Sequence, residues 1–247
     1  MKTFLKFKKP LIEGLIIDRP NRFTFLVWVE NKIQRCHCPV TSRIADLQYK
    51  NIPCLLSKHD DNWTRNTLYD VEAISVDDKK TWIGINQTKA NYFVDYFLRV
   101  GCFKEMLGDI NSLQSEVPYK DAIIDFKVNG FFLEVKSPLG TIDWPMSDKL
   151  LHREYKDKVW SQRFDKHIRD LQESLIENKR AILLVCFQYE RPDFKLKSDT
   201  IHLNYVSENF KQAIKSGVEI WQCDMSFNKD GITFEKCFNL TDYYKNN

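Results

Sequence analysis

Two acids and an amine lie within one short stretch at a spacing that brings them together: Asp125, Glu134 and Lys136, all within residues 122–138. Asn129-Gly130 stands midway between two apolar-rich runs. Asn-Gly is the strongest short hairpin signal, because a two-residue type I′ turn needs positive φ at both positions. With that turn, Val128 faces Phe131 and Asp125 faces Glu134. Regular alternation puts Ile124, Phe126, Val128, Phe131, Leu133 and Val135 on an apolar face. Ile123, Asp125, Lys127, Phe132, Glu134 and Lys136 then share the other. Carboxylates facing each other across two strands have Cβ atoms about 5 Å apart and destabilise the pair unless a cation intervenes. Two carboxylates with a lysine beside them suit a hard divalent cation and a polarised water. Mg²⁺ fits, since it takes carboxylate oxygens, keeps several waters and is completed by substrate phosphate. An exposed sheet face with a salt bridge has the same spacing.

The elements around this hairpin divide into two groups. Residues 11–17 and 23–29 are apolar or alternating, with a turn at Arg19-Pro20-Asn21-Arg22. Further short strands at 33–38 and 54–57, ending near 71–75, predict a small barrel or meander. After Thr88 the period changes. Phe93, Phe97 and Val100 recur at helical spacing, which predicts a helix over 89–99, a break at Gly101 and a short helix through Glu105 and Met106. Beyond the hairpin, residues 140–160 are dense in both charges and form either a flap or an extra helix. A helix over 163–177 turns Phe164, Ile168, Leu171 and Leu175 inward. Residues 181–187 are continuously apolar, as in a strand buried on both faces of a mixed sheet. A helix over 205–215, a strand over 218–223, a turn at 228–231 and a strand over 232–238 follow. The fold class is α/β, or α+β taken over the whole chain.

Composition narrows the function classes. The chain has 247 residues, enough for one large domain or two small ones, and has no run of 18 apolar residues to cross a membrane. Residues 1–10 are too charged for a secretory signal, so the expected location is the cytoplasm. Seven cysteines form no CxxC pair or disulfide framework. In Cys36-His37-Cys38 strand alternation points His37 away from the two thiols, and no second ligand pair stands at a zinc spacing. The net charge of +3 is carried by the front: residues 1–70 hold twelve Lys/Arg against seven Asp/Glu. A basic binding module ahead of an acidic, metal-binding module has this distribution.

Asp125, eight intervening residues and Glu134-Val135-Lys136 resemble the PD-(D/E)XK nuclease signature. With Glu116-Val117, Ile124-Asp125-Phe126 and Glu134-Val135-Lys136-Ser137, the chain resembles the sugar fermentation stimulation protein family over most of its length. The resemblance implies an OB-like barrel over 1–82 that binds nucleic acid and a PD-(D/E)XK nuclease-like mixed-sheet domain over 83–247. It implies DNA or RNA as partner, no membrane, and metal-dependent hydrolysis of phosphodiester bonds. Asp125, Glu134 and the carbonyl of Val135 would bind Mg²⁺, with Mn²⁺ as a substitute. Lys136 would position or deprotonate the nucleophile. Arg22, Arg43 and Arg65 on barrel loops are candidates to track phosphates, with Trp63 to stack on a base; Arg43 and Arg65 match family positions, and Lys166-His167 aligns with a family Lys-His pair that implies a phosphate contact. Glu116, Glu105 and Asp95 are the candidate third acids. The chain departs from the family where Val40-Thr41-Ser42-Arg43 replaces Asn-Thr-Gly-Arg, and where Ala122-Ile123 replaces a Ser-Arg whose arginine would bind phosphate. Pro118 likewise replaces a usual lysine. Those departures favour the alternative, a DNA-binding regulator of sugar metabolism with a vestigial nuclease site.

Overall fold

The computed structural model describes residues 2–40, 43–45, 47–60, 66–140, 142–150, 162–192 and 204–246. In chain order the strands and helices are β1 (Phe4–Lys6), β2 (Ile12–Asn21), β3 (Thr24–Val29), β4 (Lys32–His37), β5 (Ile52–Lys58), β6 (Tyr69–Ile74), β7 (Ile83–Gly84), α1 (Gln87–Arg99), α2 (Lys104–Leu107), β8 (Leu113–Tyr119), β9 (Ala122–Val128), β10 (Phe131–Lys136), α3 (Gln162–Asn178), β11 (Ala181–Phe187), α4 (Asn204–Ser216), β12 (Glu219–Phe227), β13 (Gly231–Asn239) and α5 (Thr241–Lys245).

Five strands in the order β4-β3-β2-β5-β6 close into a barrel through a parallel β4–β6 contact at His37 and Asp70, and β7 extends β6. This is the expected OB-like barrel. Its interior is filled by Ile16, Phe25, Val27, Cys54, Leu56 and Val71, all fully buried. Burial pushes the Cys36 thiol up to about 12, and His37 turns to the Asp70 carboxylate, 3.1 Å away.

The second sheet is mixed, with order β1-β13-β12-β11-β10-β9-β8. Strands β10, β11 and β12 are parallel, joined by crossovers that contain α3 and α4. As expected, β11 is buried on both faces. Ile182, Leu184 and Cys186 join the core under α1 and α2, while Ala181, Leu183, Val185 and Phe187 join the core under α3 and α4. The two sheets are not filled in strict chain order. Strand β1 is not part of the barrel; it crosses to the second sheet and pairs with β13, Phe4 opposite Thr233. Three residues cannot make a stable strand alone, so their place is set by a partner far along the chain. At the seam between the two sheets, the Gly84 amide bonds the Gln188 carbonyl at 3.0 Å. A Cβ on Gly84 would stand 2.5 Å from the Gln188 Cβ, so only glycine permits this approach.

The hairpin turn is as expected: Asn129 has φ +48° and Gly130 φ +93°. Asn129 does more than turn the chain. Its Oδ1 accepts the amides of Asn111 (2.8 Å) and Ser112 (3.2 Å), and its Nδ2 donates to the Asp109 carbonyl (2.9 Å). Asn129→Ala should therefore cost about 2 kcal/mol in a urea titration with the slope unchanged, from three missing hydrogen bonds and an αL alanine. A loss under about 0.5 kcal/mol, the range of ordinary surface substitutions, would show that these bonds do not hold the turn.

Candidate active site

The β9–β10 ladder runs from Val128–Phe131 to Phe126–Leu133, in the expected register, and there it stops. The same register leaves Asp125 opposite Glu134, but side chains replace the backbone pairing. Asp125 Oδ2 accepts the amide of Val135 at 2.8 Å, and the Asp125 amide bonds Glu134 Oε2 at 3.3 Å. The acids therefore meet, though not on the regular face that alternation implied. Ile124 packs in the α3-side core with Phe132, whereas Phe126 and Val128 pack in the α1-side core. This corrects the placing of Ile124 on the apolar face. Strand β8 changes face at the same level: Leu113 packs on the α1 side, Val117 and Tyr119 on the α3 side. Between them Glu116 takes φ +53°, far from the roughly −140° of an antiparallel strand. The paired distortion splits the sheet locally, and Asp125 stands in the gap.

Helices from both faces complete the site. From α1, Asn91 Nδ2 donates to Asp125 Oδ1 at 2.6 Å. From α3, the His167 imidazole donates Nδ1–H to Glu134 Oε1, and the Lys136 ammonium reaches the same oxygen. Glu134 is almost fully buried. Burial acts to raise its pKa, but the His167 hydrogen bond and the Lys136 charge together hold it below the usual carboxylate range. Among the described residues, Asp125 has no such cation in contact. Burial first, and the Glu134 charge second, push it up to about 6.

The remaining expected residues fall in three groups. Glu116 lies opposite Asp125 in the β8–β9 register with its side chain exposed. Asp95, one turn beyond Asn91 on α1, bonds Arg99 and the Ser115 hydroxyl, and Arg99 holds its carboxyl low. Glu105 is not brought to the site: α2 packs on β13, three strands from β10. Lys166 is an exposed-edge residue paired with Asp121 at 2.8 Å, while its neighbour His167 is buried on Glu134. The expected Lys-His pair thus faces two ways. Arg22 sits in the exposed β2–β3 turn with its guanidinium 4.7 Å from the Phe23 ring, and Arg43 is exposed. Arg65, Trp63 and most of the expected flap lie outside the described residues.

Sequence reasoning missed two groups. Asn91, singled out only as a family match, is the donor that orients Asp125. Asp170 is buried on α3 three residues beyond His167, one oxygen without a hydrogen-bond partner among the described residues, and burial raises its carboxyl. Helical spacing from His167 was the one signal for it.

The donor set suits a hard cation. Two neighbouring carboxylates, one reluctant to ionise because of burial first and the other's charge second, and the Val135 carbonyl one residue beyond Glu134 offer only oxygen. Among the described residues no group of three His, Cys, Asp or Glu forms a metal cage by itself. Mg²⁺ asks for few protein ligands, since waters and substrate complete its shell.

The Asp125 shift has a measurable sign. Its carboxyl keeps a proton to about pH 6 when folded and to about 3.8 otherwise. The folded state therefore binds more protons between those values, and stability falls as pH rises through them. In EDTA, Asp125→Asn should match the unsubstituted chain below about pH 4 and exceed it by about 1–3 kcal/mol above about pH 7. Urea titrations across that range check this. A constant difference would place the strain elsewhere.

Comparison with known proteins matches both halves of the chain. Residues 17–85 match the SfsA N-terminal OB domain and residues 88–231 the sugar fermentation stimulation protein RE domain. The sugar fermentation stimulation protein homolog of Prochlorococcus marinus subsp. pastoris is 28% identical over 242 residues, covering 92% of this chain and 94% of its own. That of Synechococcus elongatus is 29% identical over 231 residues, covering 91% and 93%. The solved structure of Pyrococcus furiosus SfsA in complex with Ca²⁺ superposes with a TM-score of 0.74 at 20% identity, covering 96% of this chain and 98% of that one. With an OB barrel in front, a split mixed sheet behind and both halves matched in order, the chain belongs to the sugar fermentation stimulation protein family.

Proposed function

We propose that this chain is a metal-dependent nuclease that hydrolyses phosphodiester bonds of DNA or RNA. The observation that carries the reading is the junction of Asp125, Glu134 and Lys136 where β9 parts from β10. Asp125, Glu134 and the Val135 carbonyl would hold Mg²⁺, or Mn²⁺ in its place. A divalent ion there supplies a water of lowered pKa and stabilises charge on the phosphoryl oxygens. The Ca²⁺ complex of the Pyrococcus relative supports a hard divalent cation, since Ca²⁺ and Mg²⁺ both choose oxygen ligands.

The chain's own groups do the rest. Asn91 and the Val135 amide fix the Asp125 carboxylate from two sides. His167 holds Glu134 ionised and in place from the opposite helix. Lys136, part-exposed, is the ammonium nearest the scissile phosphate, where it orients the nucleophile and offsets phosphoryl charge. Lys166, at the exposed edge of α3, and Arg22, Arg43 and Arg65 on the barrel contact flanking phosphates. Glu116 and Asp95 remain the nearest candidates for a third acid.

One observation favours a second reading, a nucleic-acid-binding regulator of sugar use with a vestigial site. Ile123, 59% exposed and two residues from Asp125, presents a methyl surface where an arginine would grip phosphate. Labelled single- and double-stranded DNA and RNA, each with Mg²⁺, Mn²⁺ or EDTA, separate the two. The nuclease reading expects metal-dependent cleavage that falls at least 10²–10³-fold in Asp125→Asn and Lys136→Ala while binding persists. Binding without cleavage under every metal condition would favour the regulator, and cleavage surviving both substitutions would remove the assigned residues from the chemistry.

A further inference from the structure

A cleft of about 740 Å³ opens between the N-terminal segment that contains β1, the barrel and α1. Its size lies within the roughly 300–1,000 Å³ that encloses a small organic ligand. Lys6, Lys8, Lys9, Lys58 and Lys89 line it, against two carboxylates, Asp60 and Glu72. The carboxylates are already engaged: Asp60 with Lys9 at 2.6 Å, and buried Glu72 with Lys89 and the Asn86 amide. Lys6 and Lys8 are exposed and form no ion pair among the described residues. Three aromatic rings line the cleft, Phe7, Tyr92 and Phe93. Phe7 is half-buried against Phe93 and Phe227, and Tyr92 on α1 is 59% exposed. An exposed ring among unpaired ammonium groups inside a concavity is the composition of a single-strand platform, where bases stack and phosphates find cations.

The cleft also has the right neighbour. Tyr92 follows Asn91, the donor to Asp125, on the same helix, and Lys89 precedes it by two. Consecutive helical residues project about 100° apart, so the platform and the acids border the same helix.

We infer that this cleft binds an unpaired stretch of nucleic acid flanking the cleaved bond, with Lys6 and Lys8 on phosphates and Tyr92 against a base. The inference rests on the nucleic-acid reading above and narrows its substrate class to strands with a single-stranded segment. Paired bases stack on each other and leave no face for Tyr92, so a continuous duplex gains nothing here.

Fluorescence anisotropy of the full chain in EDTA, with a labelled oligothymidine of about ten nucleotides and a matched blunt duplex, tests it. Lys6→Glu/Lys8→Glu should weaken single-strand binding at least tenfold and lower the salt slope by about 1.4, that is about 0.7 for each phosphate no longer neutralised. Tyr92→Ala should weaken it about fivefold or more, and Tyr92→Phe should restore it. Duplex affinity should change less in each case. Circular dichroism melts confirm folding, and Tyr92 on an exposed helix face keeps the test open should the β1 variant unfold. Unchanged single-strand affinity in folded variants, or equal losses for duplex and single strand, would overturn the cleft while cleavage by Asp125 and Lys136 still stood. A chain that binds neither probe would overturn both readings.

Discussion

Two carboxylates share a poorly solvated notch, and most of the second sheet's local structure answers to that. Unit charges 4 Å apart in a protein of effective dielectric near 20 interact by about 4 kcal/mol, comparable with a large part of a domain's stability. The chain resolves the conflict unequally. Glu134 receives Lys136 and His167 and stays ionised, while Asp125 receives only neutral donors and holds its proton to about pH 6. A site so arranged is poised for a cation. A divalent ion held there, as proposed above, would balance charge that Asp125 otherwise balances with a proton.

Reaching the two acids from both faces requires a broken ladder. Were β9 and β10 paired to their ends, Asp125 and Glu134 would point from one flat face, and only one helix layer could reach them. The change of face at Asp125, matched in β8 by Glu116 at φ +53°, opens the sheet so that α1 supplies Asn91 and α3 supplies His167. Non-glycine residues held at positive φ inside strands persist where the surroundings over-determine them, commonly at functional sites. The strained residue and the reluctant acid are neighbours across one register position.

Local signals explain what was legible. The Asn-Gly turn and the Asp125–Glu134 register follow from a period of two and a two-residue loop, both local, and both are present. The front strands, α1, α3 and the doubly buried β11 follow from the apolar pattern, while closure of those strands into a barrel and not a meander was implied by the resemblance. The face change was not legible, because alternation assumes a regular pleat and the residue that breaks it, Glu116, has no turn chemistry in its type. Nor was β1, whose three residues acquire a strand only through β13. The role of His167 was half legible. The resemblance marked it for phosphate, but its burial turns it to Glu134, while Lys166 beside it stays at the surface.

The barrel is joined to this site by more than sequence. Glu72, inside the seam and 1% exposed, binds Asn86 at 2.9 Å and the Lys89 ammonium, the residues where α1 begins. Gln188, at the end of β11, donates to the Asn86 carbonyl at 3.0 Å. A buried acid with several donors is costly to disturb, since removing one partner strands the other in low dielectric. The start of α1 is thus pinned simultaneously to the barrel and to the central strand of the second sheet. Asn91, little more than one turn further on, inherits that position and passes it to Asp125. On the proposed function, a substrate lying across the barrel and the cleft beside α1 would meet acids whose placement is set by the same helix that lines its path, so binding and cleavage would share one reference.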